Sequence, residues 1–323
     1  MSSESEHGRG SAELDKKQQE LLDLCAHFFG DSPHVEKVSD RTITGPNGDV
    51  PIRIYQPAHD SPLRLMVYFH GGGFAYGSIA SHDTVARRYA SSLSAVVVSV
   101  DYRLAPEHPF PAGLEDCYAA TVWAHEHARE LGAKPETLCV AGDSAGGNLS
   151  AVTAMMARDK GTPAVAFQLM VSPCCDDARS ASYASYSLGT EGSMPSRQNM
   201  VDLYNLYVPN VEDGKQAYVS PVHAEDLSEL PPALIFTAGK DMLMDEAEAY
   251  AAKLASAGVD VTLKRFKDNI HIGMCTPVPS ARDCKLALEL IRAQWEHACT
   301  ADDTDSSLDP FKVKASGDGG VFD

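Results

Sequence analysis

Short apolar runs alternate with helical stretches along most of this chain, and that alternation restricts its fold more than any other feature. The runs are "VPIRIYQ" from residue 50, "RLMVYFH" from 64, "AVVVSVDY" from 95, "TLCVAG" from 137, "AFQLMVS" from 166, "ALIFTAG" from 233 and "VTLKRF" from 261. Several are apolar on both faces, as parallel strands covered by helices on each side must be. Helical patterns fall between them at 82–93, 112–131, 146–159, 245–257 and 281–297. Such alternation predicts an α/β sheet sandwiched by helices. "KVSDRTITG" from residue 37 predicts an antiparallel strand at the start. The stretch from about 174 to 232 is too long for a simple crossover. Its "YASYSLGTEGSMPSRQNMVDLYNLYV" reads as an inserted helical segment over one end of the sheet. "AELDKKQQELLDLCAHFF" (12–29) has helical spacing at Leu14, Leu21, Leu22, Leu24 and Phe28, as a docking helix or a lid element would. Residues 301–323 are polar and acidic and predict a loose tail.

With 323 residues, 44% of them hydrophobic, the chain can bury a sizeable core. Its formal net charge of -18 repels phosphate backbones and anionic lipid, which argues against nucleic-acid and membrane-surface partners. No apolar run reaches the roughly 18 residues of a spanning helix. No basic segment followed by an apolar one marks a secretory signal. Eight cysteines form no CxxC pair, and Cys139 lies inside an apolar run. Reduced thiols in a cytoplasmic protein are expected. No His/Cys cluster has metal-ligand spacing, so no metal is expected.

In "LCVAGDSAGGNLSAVTAMM" (138–156), Ser144 stands at a junction of strand and helix. A chain that turns at once from strand to helix strains its turning residue, and Gly142 and Gly146 let the two elements approach closely. The serine then projects beyond the sheet edge, above a helix N-terminus with free N–H groups and a positive dipole end. This is G-x-S-x-G in the context a nucleophile needs; the competing reading is a serine N-cap on a Gly-rich turn. G-D-S-G-G also marks trypsin-like peptidases, but those are all-β, and here an alanine is inserted and a helix follows.

A serine hydroxyl needs a base, and the base needs an acid to hold it. On such a sheet the order is serine, acid, histidine. Only His223, His271 and His297 follow Ser144. His297 falls late in an amphipathic helix, and His223 in a loop that could run near the site. His271 follows the strand from 261 by a short loop, where ligand sites gather, and is the expected base. Asp241, just beyond the strand from 233, is the expected acid. Asp245 reads as an N-cap, and Asp143 as structural, pinning the turn. In "VYFHGGGFAYGS" three glycines after a strand let the main chain aim N–H groups at a ligand. Gly72, Gly73 and Ala145 are the expected oxyanion donors, and His70 is structural. A phosphate cradle is disfavoured because no G-K-[ST] follows.

Together these residues resemble the hormone-sensitive-lipase-like family of α/β-hydrolases. "HGGGF", "GDSAGG", the long "DYRLAPEHPFPAGLEDC" (101–117) and the acid loop "KDMLMDE" carry the resemblance, which runs from about residue 40 to 297. It implies an α/β-hydrolase fold with an eight-stranded mostly parallel sheet and a helical cap. The corresponding division is an N-terminal cap region (1–45), a catalytic domain (46–300) with a cap insertion at about 176–215, and the tail. It also implies a serine carboxylesterase acting on short- to medium-chain esters without a cofactor, with Ser144, Asp241 and His271 as triad. Phe74, Tyr76, Tyr183, Tyr186, Leu203, Tyr204 and Tyr207 are candidate pocket residues. The expected partner is a small-molecule ester, with a homodimer among the open oligomeric states. An amidase or lactonase using the same residues is an alternative, and so is a binding protein like plant hormone receptors related to the family. Such receptors lack part of the triad, whereas here each position has a candidate. One departure is His271-Ile272-Gly273 where the family usually has His-Gly-Phe.

Overall fold

A computed structural model describes residues 16–20, 22–190 and 194–300. The expected tail and the apolar positions Leu14 and Leu21 lie outside the described residues. Helical residues 16–20 and 22–29 form α1. Eight strands then build one sheet: β1 (Lys37–Gly45), β2 (Gly48–Gln56), β3 (Arg64–Phe69), β4 (Ala95–Val100), β5 (Cys139–Asp143), β6 (Phe167–Val171), β7 (Ala233–Lys240) and β8 (Val261–Ile270). Their order is β1-β2-β4-β3-β5-β6-β7-β8. β1 and β2 pair antiparallel, as do β2 and β4; the other pairs are parallel.

Alternate residues of each strand face opposite layers. On β3, Leu65, Val67 and Phe69 join Leu114 of α3 (Ala112–His127), Leu149 of α4 (Ala145–Lys160) and Tyr250 of α6 (Met244–Ser256). Met66 and Tyr68 face the other way, against Phe29 of α1, Val85 of α2 (Asp83–Leu93) and Trp295 of α7 (Pro277–Thr300). This two-sided cover explains why the central strands read as unbroken apolar runs. Trp295 also donates its indole N–H to Thr137 O at 2.9 Å, anchoring α7 beside β5.

The stretch 101–117 is held by polar contacts. Arg103 grips Asp116 with Nε and Nη2, both at 2.8 Å, and Arg103 N donates to the same carboxylate. Tyr102 donates to His70 O at 2.7 Å and stacks on the His70 ring. That long segment therefore braces the loop after β3.

The inserted segment contains helix α5 (Arg197–Tyr207), whose Ser196 hydroxyl caps Asn199 N. It rests on the core through three polar staples. Tyr183 Oη donates to Asp176 at 3.0 Å, Tyr186 Oη to Glu246 at 2.5 Å, and Ser185 N to Asp245 Oδ2 at 2.8 Å. Asp245 is thus not the N-cap expected from sequence. That position is Leu243, and the carboxylate is taken by a cap residue instead. Among the described residues no helix is long and apolar enough to cross a membrane. All eight cysteines are free thiols, and all but Cys299 are buried.

Candidate active site

The loops after β3, β5, β7 and β8 leave the same, carboxyl edge of the sheet, where ligands bind in open α/β sheets. Each carries one part of the candidate site.

Ser144 joins β5 to α4 with φ 56° and ψ −120°. A non-glycine residue reaches that region only when its surroundings impose it. Here Ser144 N donates to Val171 O at 2.8 Å, and Ser144 O accepts from Asn148 N at 3.1 Å, the first turn of α4. The flanking glycines are sterically required. A Cβ on Gly142 would lie 2.2 Å from Gly146 O, and one on Gly146 would lie 2.0 Å from Phe69 O. Ser144 occupies the N-cap position of α4 but makes no side-chain capping bond, so the cap reading of this serine does not hold.

After β7 the chain bulges at Gly239, where a Cβ would meet Lys267 O at 2.1 Å, and Asp241 follows at once. Asp241 is 2% exposed. Its Oδ1 accepts from Leu243 N at 3.0 Å and its Oδ2 lies 2.7 Å from His271 Nδ1. Burial alone would lower the His271 pKa. The Asp241 charge and hydrogen bond, with a smaller part from Asp143, outweigh it and hold the imidazole above its ordinary value. The neighbouring Ile272 takes a left-handed conformation, φ 50° and ψ 4°, unusual for a β-branched residue. Its N–H donates to Ser172 Oγ at 3.3 Å. Val171 and Ser172, adjacent at the end of β6, thus tie the main chain of Ser144 to that of the His271 loop.

Gly72 (φ +128°) and Gly73 (φ +61°) follow β3 in conformations that favour glycine. The turn closes on Gly72 O, which accepts from Tyr76 N at 2.9 Å. Among the described residues neither Gly72 N nor Gly73 N has a protein acceptor. Ala145 N, at the start of α4, belongs to the helix-end N–H groups that have no intrahelical partner. His70 is buried, and burial first, then His82, drives its pKa down to about 3. It stays neutral and structural.

The remaining candidates divide. Leu203 of α5 lies directly on Gly73, whose Cβ would come within 2.3 Å of Leu203 Cδ1. Phe74 stacks on Tyr207 at 3.9 Å and neighbours Tyr204. Among the described residues the Tyr204 and Tyr207 hydroxyls are buried without a partner. Tyr183 and Tyr186 spend their hydroxyls on carboxylates of the core. Tyr76 is half-buried. His223 pairs with Asp176 at 2.8 Å, and His297 sits on α7.

Near the site, Asp143 was read from sequence as pinning the turn, whereas Cys174 and Glu246 escaped that reading. Under the elbow, Asp143 accepts from Tyr68 Oη and faces His82 Nε2 at 3.4 Å. Cys174, buried beside the elbow, donates its backbone N–H to Ser144 O at 3.3 Å. Glu246, the last residue of the acid loop motif, is buried beneath the cap, and burial pushes its pKa up to about 8. The motif contained Glu246, but nothing in its spacing marked it as buried. Among the described residues no group of His, Cys, Asp or Glu could hold a metal ion.

Fold and site together define an α/β-hydrolase with a strained serine elbow. Residues 66–274 match the family described as alpha/beta hydrolase fold. The carboxylic ester hydrolase LipN of Mycobacterium tuberculosis is 42% identical over 254 residues, 77% of this chain and 67% of that protein. The arylesterase of Saccharolobus solfataricus is 36% identical, over 80% of this chain and 84% of its own. The crystal structure of EstE1, a carboxylesterase cloned from a metagenomic library, superposes with a TM-score of 0.82 at 35% identity. That match covers 88% of this chain and 97% of EstE1. A Pyrobaculum calidifontis esterase superposes with a TM-score of 0.79 at 36% identity, over 90% of this chain and 94% of its own. The chain belongs to the α/β-hydrolase fold family, in its hormone-sensitive-lipase-like branch.

Proposed function

We propose that this chain is a serine carboxylesterase for small-molecule esters with short to medium acyl groups. Ser144 Oγ attacks the ester carbonyl while His271 Nε2 takes its proton, and Asp241 holds the imidazole with Nδ1 protonated. The new oxyanion rests on the N–H groups of Gly72, Gly73 and Ala145. Collapse breaks the bond to the alcohol, which leaves with the proton from His271. Water, deprotonated by the same nitrogen, then attacks the acyl-enzyme and frees the acid and Ser144.

One observation carries this reading: a half-buried histidine paired with a buried carboxylate, 2.7 Å apart, at the same sheet edge as a strained serine turn. The carboxylic ester hydrolase, arylesterase and carboxylesterase relatives support the ester class. Leu203 on Gly73 supports a limit on the acyl side. Eight free thiols support a reducing, cytoplasmic setting. The open edge of β8, with Leu263 and Ile270 exposed there, supports a homodimer, which light scattering tests.

The test is hydrolysis of a chromogenic short-chain ester together with organophosphate labelling. Wild type turns over the ester and gains one phosphoryl adduct on Ser144 by mass; Ser144→Ala does neither. Equal rates for the two proteins would overturn the assignment. Matched amide and lactone substrates rank the three reaction classes by kcat/KM.

A further inference from the structure

We propose that Gln18, on α1, is a positioning residue for the oxyanion loop. This rests on the reading of Gly72 and Gly73 as the oxyanion donors.

The Gln18 carboxamide engages both backbone groups of a single residue. Nε2 donates to Gly77 O at 3.1 Å, and Gly77 N donates to Oε1 at 2.8 Å. The two bonds fix the peptide units on either side of the Gly77 Cα in position and orientation, as a neighbouring strand would. They join residues 59 apart in sequence.

Gly77 is the support behind the loop. Its φ is +92°, and a Cβ there would lie 2.3 Å from Gly71 O and 2.5 Å from His70 Nδ1. Gly72 in turn leaves no room toward Tyr76 O, 2.1 Å from its would-be Cβ. The peptides on either side of Gly72 therefore rest on residues 76 and 77. A movement of Gly77 moves the donors.

The far end of α1 is also seated. Arg88 of α2, buried, donates to Phe29 O at 2.6 Å just where α1 ends, and to Cys275 O at 3.2 Å. Cys275 lies four residues beyond His271. Helix α1 is thus a strut between the oxyanion loop and the segment that follows the base. Gln18 is half-buried among exposed neighbours, so its contribution is these two bonds and not core packing.

Oxyanion donors act on the transition state, where small displacements are expensive. The experiment replaces Gln18 by Met, which keeps length and helix propensity and removes both polar atoms. Gln19→Met is the control; that side chain pairs with Asp23, in solvent. Active sites are titrated with an organophosphate. Then kcat and KM for a short-chain ester, Ki for a trifluoromethyl ketone and Tm are measured. The ketone forms a tetrahedral oxyanion on Ser144, and so reads the donors directly.

Gln18→Met is expected to lower kcat per titrated site about tenfold, to leave KM unchanged, and to weaken the ketone by the same factor. Gln19→Met is expected to match wild type. If Gln18→Met does not fold, Gln18→Glu keeps an acceptor for Gly77 N and loses the donor, and a smaller loss in both kcat and Ki is expected. Wild-type kcat and Ki per titrated site in the folded variant, whatever its Tm, would overturn the proposal. A wild-type enzyme that neither hydrolyses esters nor takes up the organophosphate overturns the esterase reading itself, a distinct result.

Discussion

His271 Nδ1 stands 2.7 Å from Asp241 Oδ2, and Asp241 Oδ1 is fixed by Leu243 N at 3.0 Å. The carboxylate can only accept, so the proton of the neutral ring sits on Nδ1 and Nε2 keeps the lone pair that the proposed mechanism requires. The same carboxylate raises the His271 pKa above its ordinary 6.5. On the proposed mechanism the rate is expected to rise with pH as His271 loses its proton, with a midpoint above that value. Asp241→Asn removes the charge, leaves the burial, and moves the acid limb of kcat/KM to lower pH. The plateau is expected to fall by about 10⁴, as tautomer control is lost. A pH–rate profile of the variant checks both, and an unmoved acid limb would disprove the coupling.

Asp143 adds a weaker charge to the same histidine. Burial raises its own pKa, but His82 and Tyr68 outweigh this, and the net position is below the ordinary 3.8. A carboxylate lowered in the folded state stabilises above its unfolded pKa, and that stabilisation is lost as pH falls through the folded value. Asp143→Asn removes the buried carboxylate that Tyr68 and His82 face and is expected to destabilise by about 2 kcal/mol at neutral pH. Urea denaturation measures this. The acid limb of kcat/KM is expected to shift the same way as in Asp241→Asn, by less.

Glu246 has the opposite sign. Burial raises its pKa from 4.5 to about 8, against the Tyr186 and Cys175 hydrogen bonds that favour the charge. Its proton stabilises the fold fully below the unfolded pKa, and that contribution fades as pH rises through the folded one. Each pK unit is worth about 1.4 kcal/mol, so wild type is expected to lose a few kcal/mol between pH 5 and about 9 from this group alone. Glu246→Gln stays neutral and keeps a carbonyl for Cys175 N. Its Tm is expected to hold nearly level over that range while wild type declines. Parallel Tm curves would refute the assignment.

What could be read from sequence was what a fixed spacing makes sterically obligatory. Gly142 and Gly146 flank Ser144 because no Cβ fits there, and the strands follow from apolar runs buried on both faces. Long-range polar choices left no such trace. Asp245 looked like a helix cap until Ser185, 60 residues away, was seen to occupy it. His223 had no visible partner until Asp176 was folded beside it. Nothing in the helical spacing of 12–29 singles out Gln18. The left-handed Ile272 gave no warning either, since nothing about a β-branched side chain announces that conformation. Spacing encodes local geometry; contacts between distant segments depend on the packed fold.

The last prediction concerns the acyl side. Leu203 projects from α5 onto Gly73, with Cδ1 within 2.3 Å of where a Cβ would stand. An acyl chain whose carbonyl oxygen reaches the Gly73 N–H must pass this side chain. Phe74, the next residue after Gly73, stacks on Tyr207 of the same helix, 3.9 Å between centroids. Leu203→Ala removes three carbons beside the oxyanion donor without touching the triad. Each methylene admitted to an apolar pocket is worth about 1–3 kcal/mol of discrimination. The hexanoate-to-acetate ratio of kcat/KM is therefore expected to rise about tenfold or more, with acetate turnover little changed. A panel of nitrophenyl esters of increasing acyl length reads the shift. An unaltered chain-length profile would mean that α5 does not bound the acyl group, and that the limit lies elsewhere in the cap.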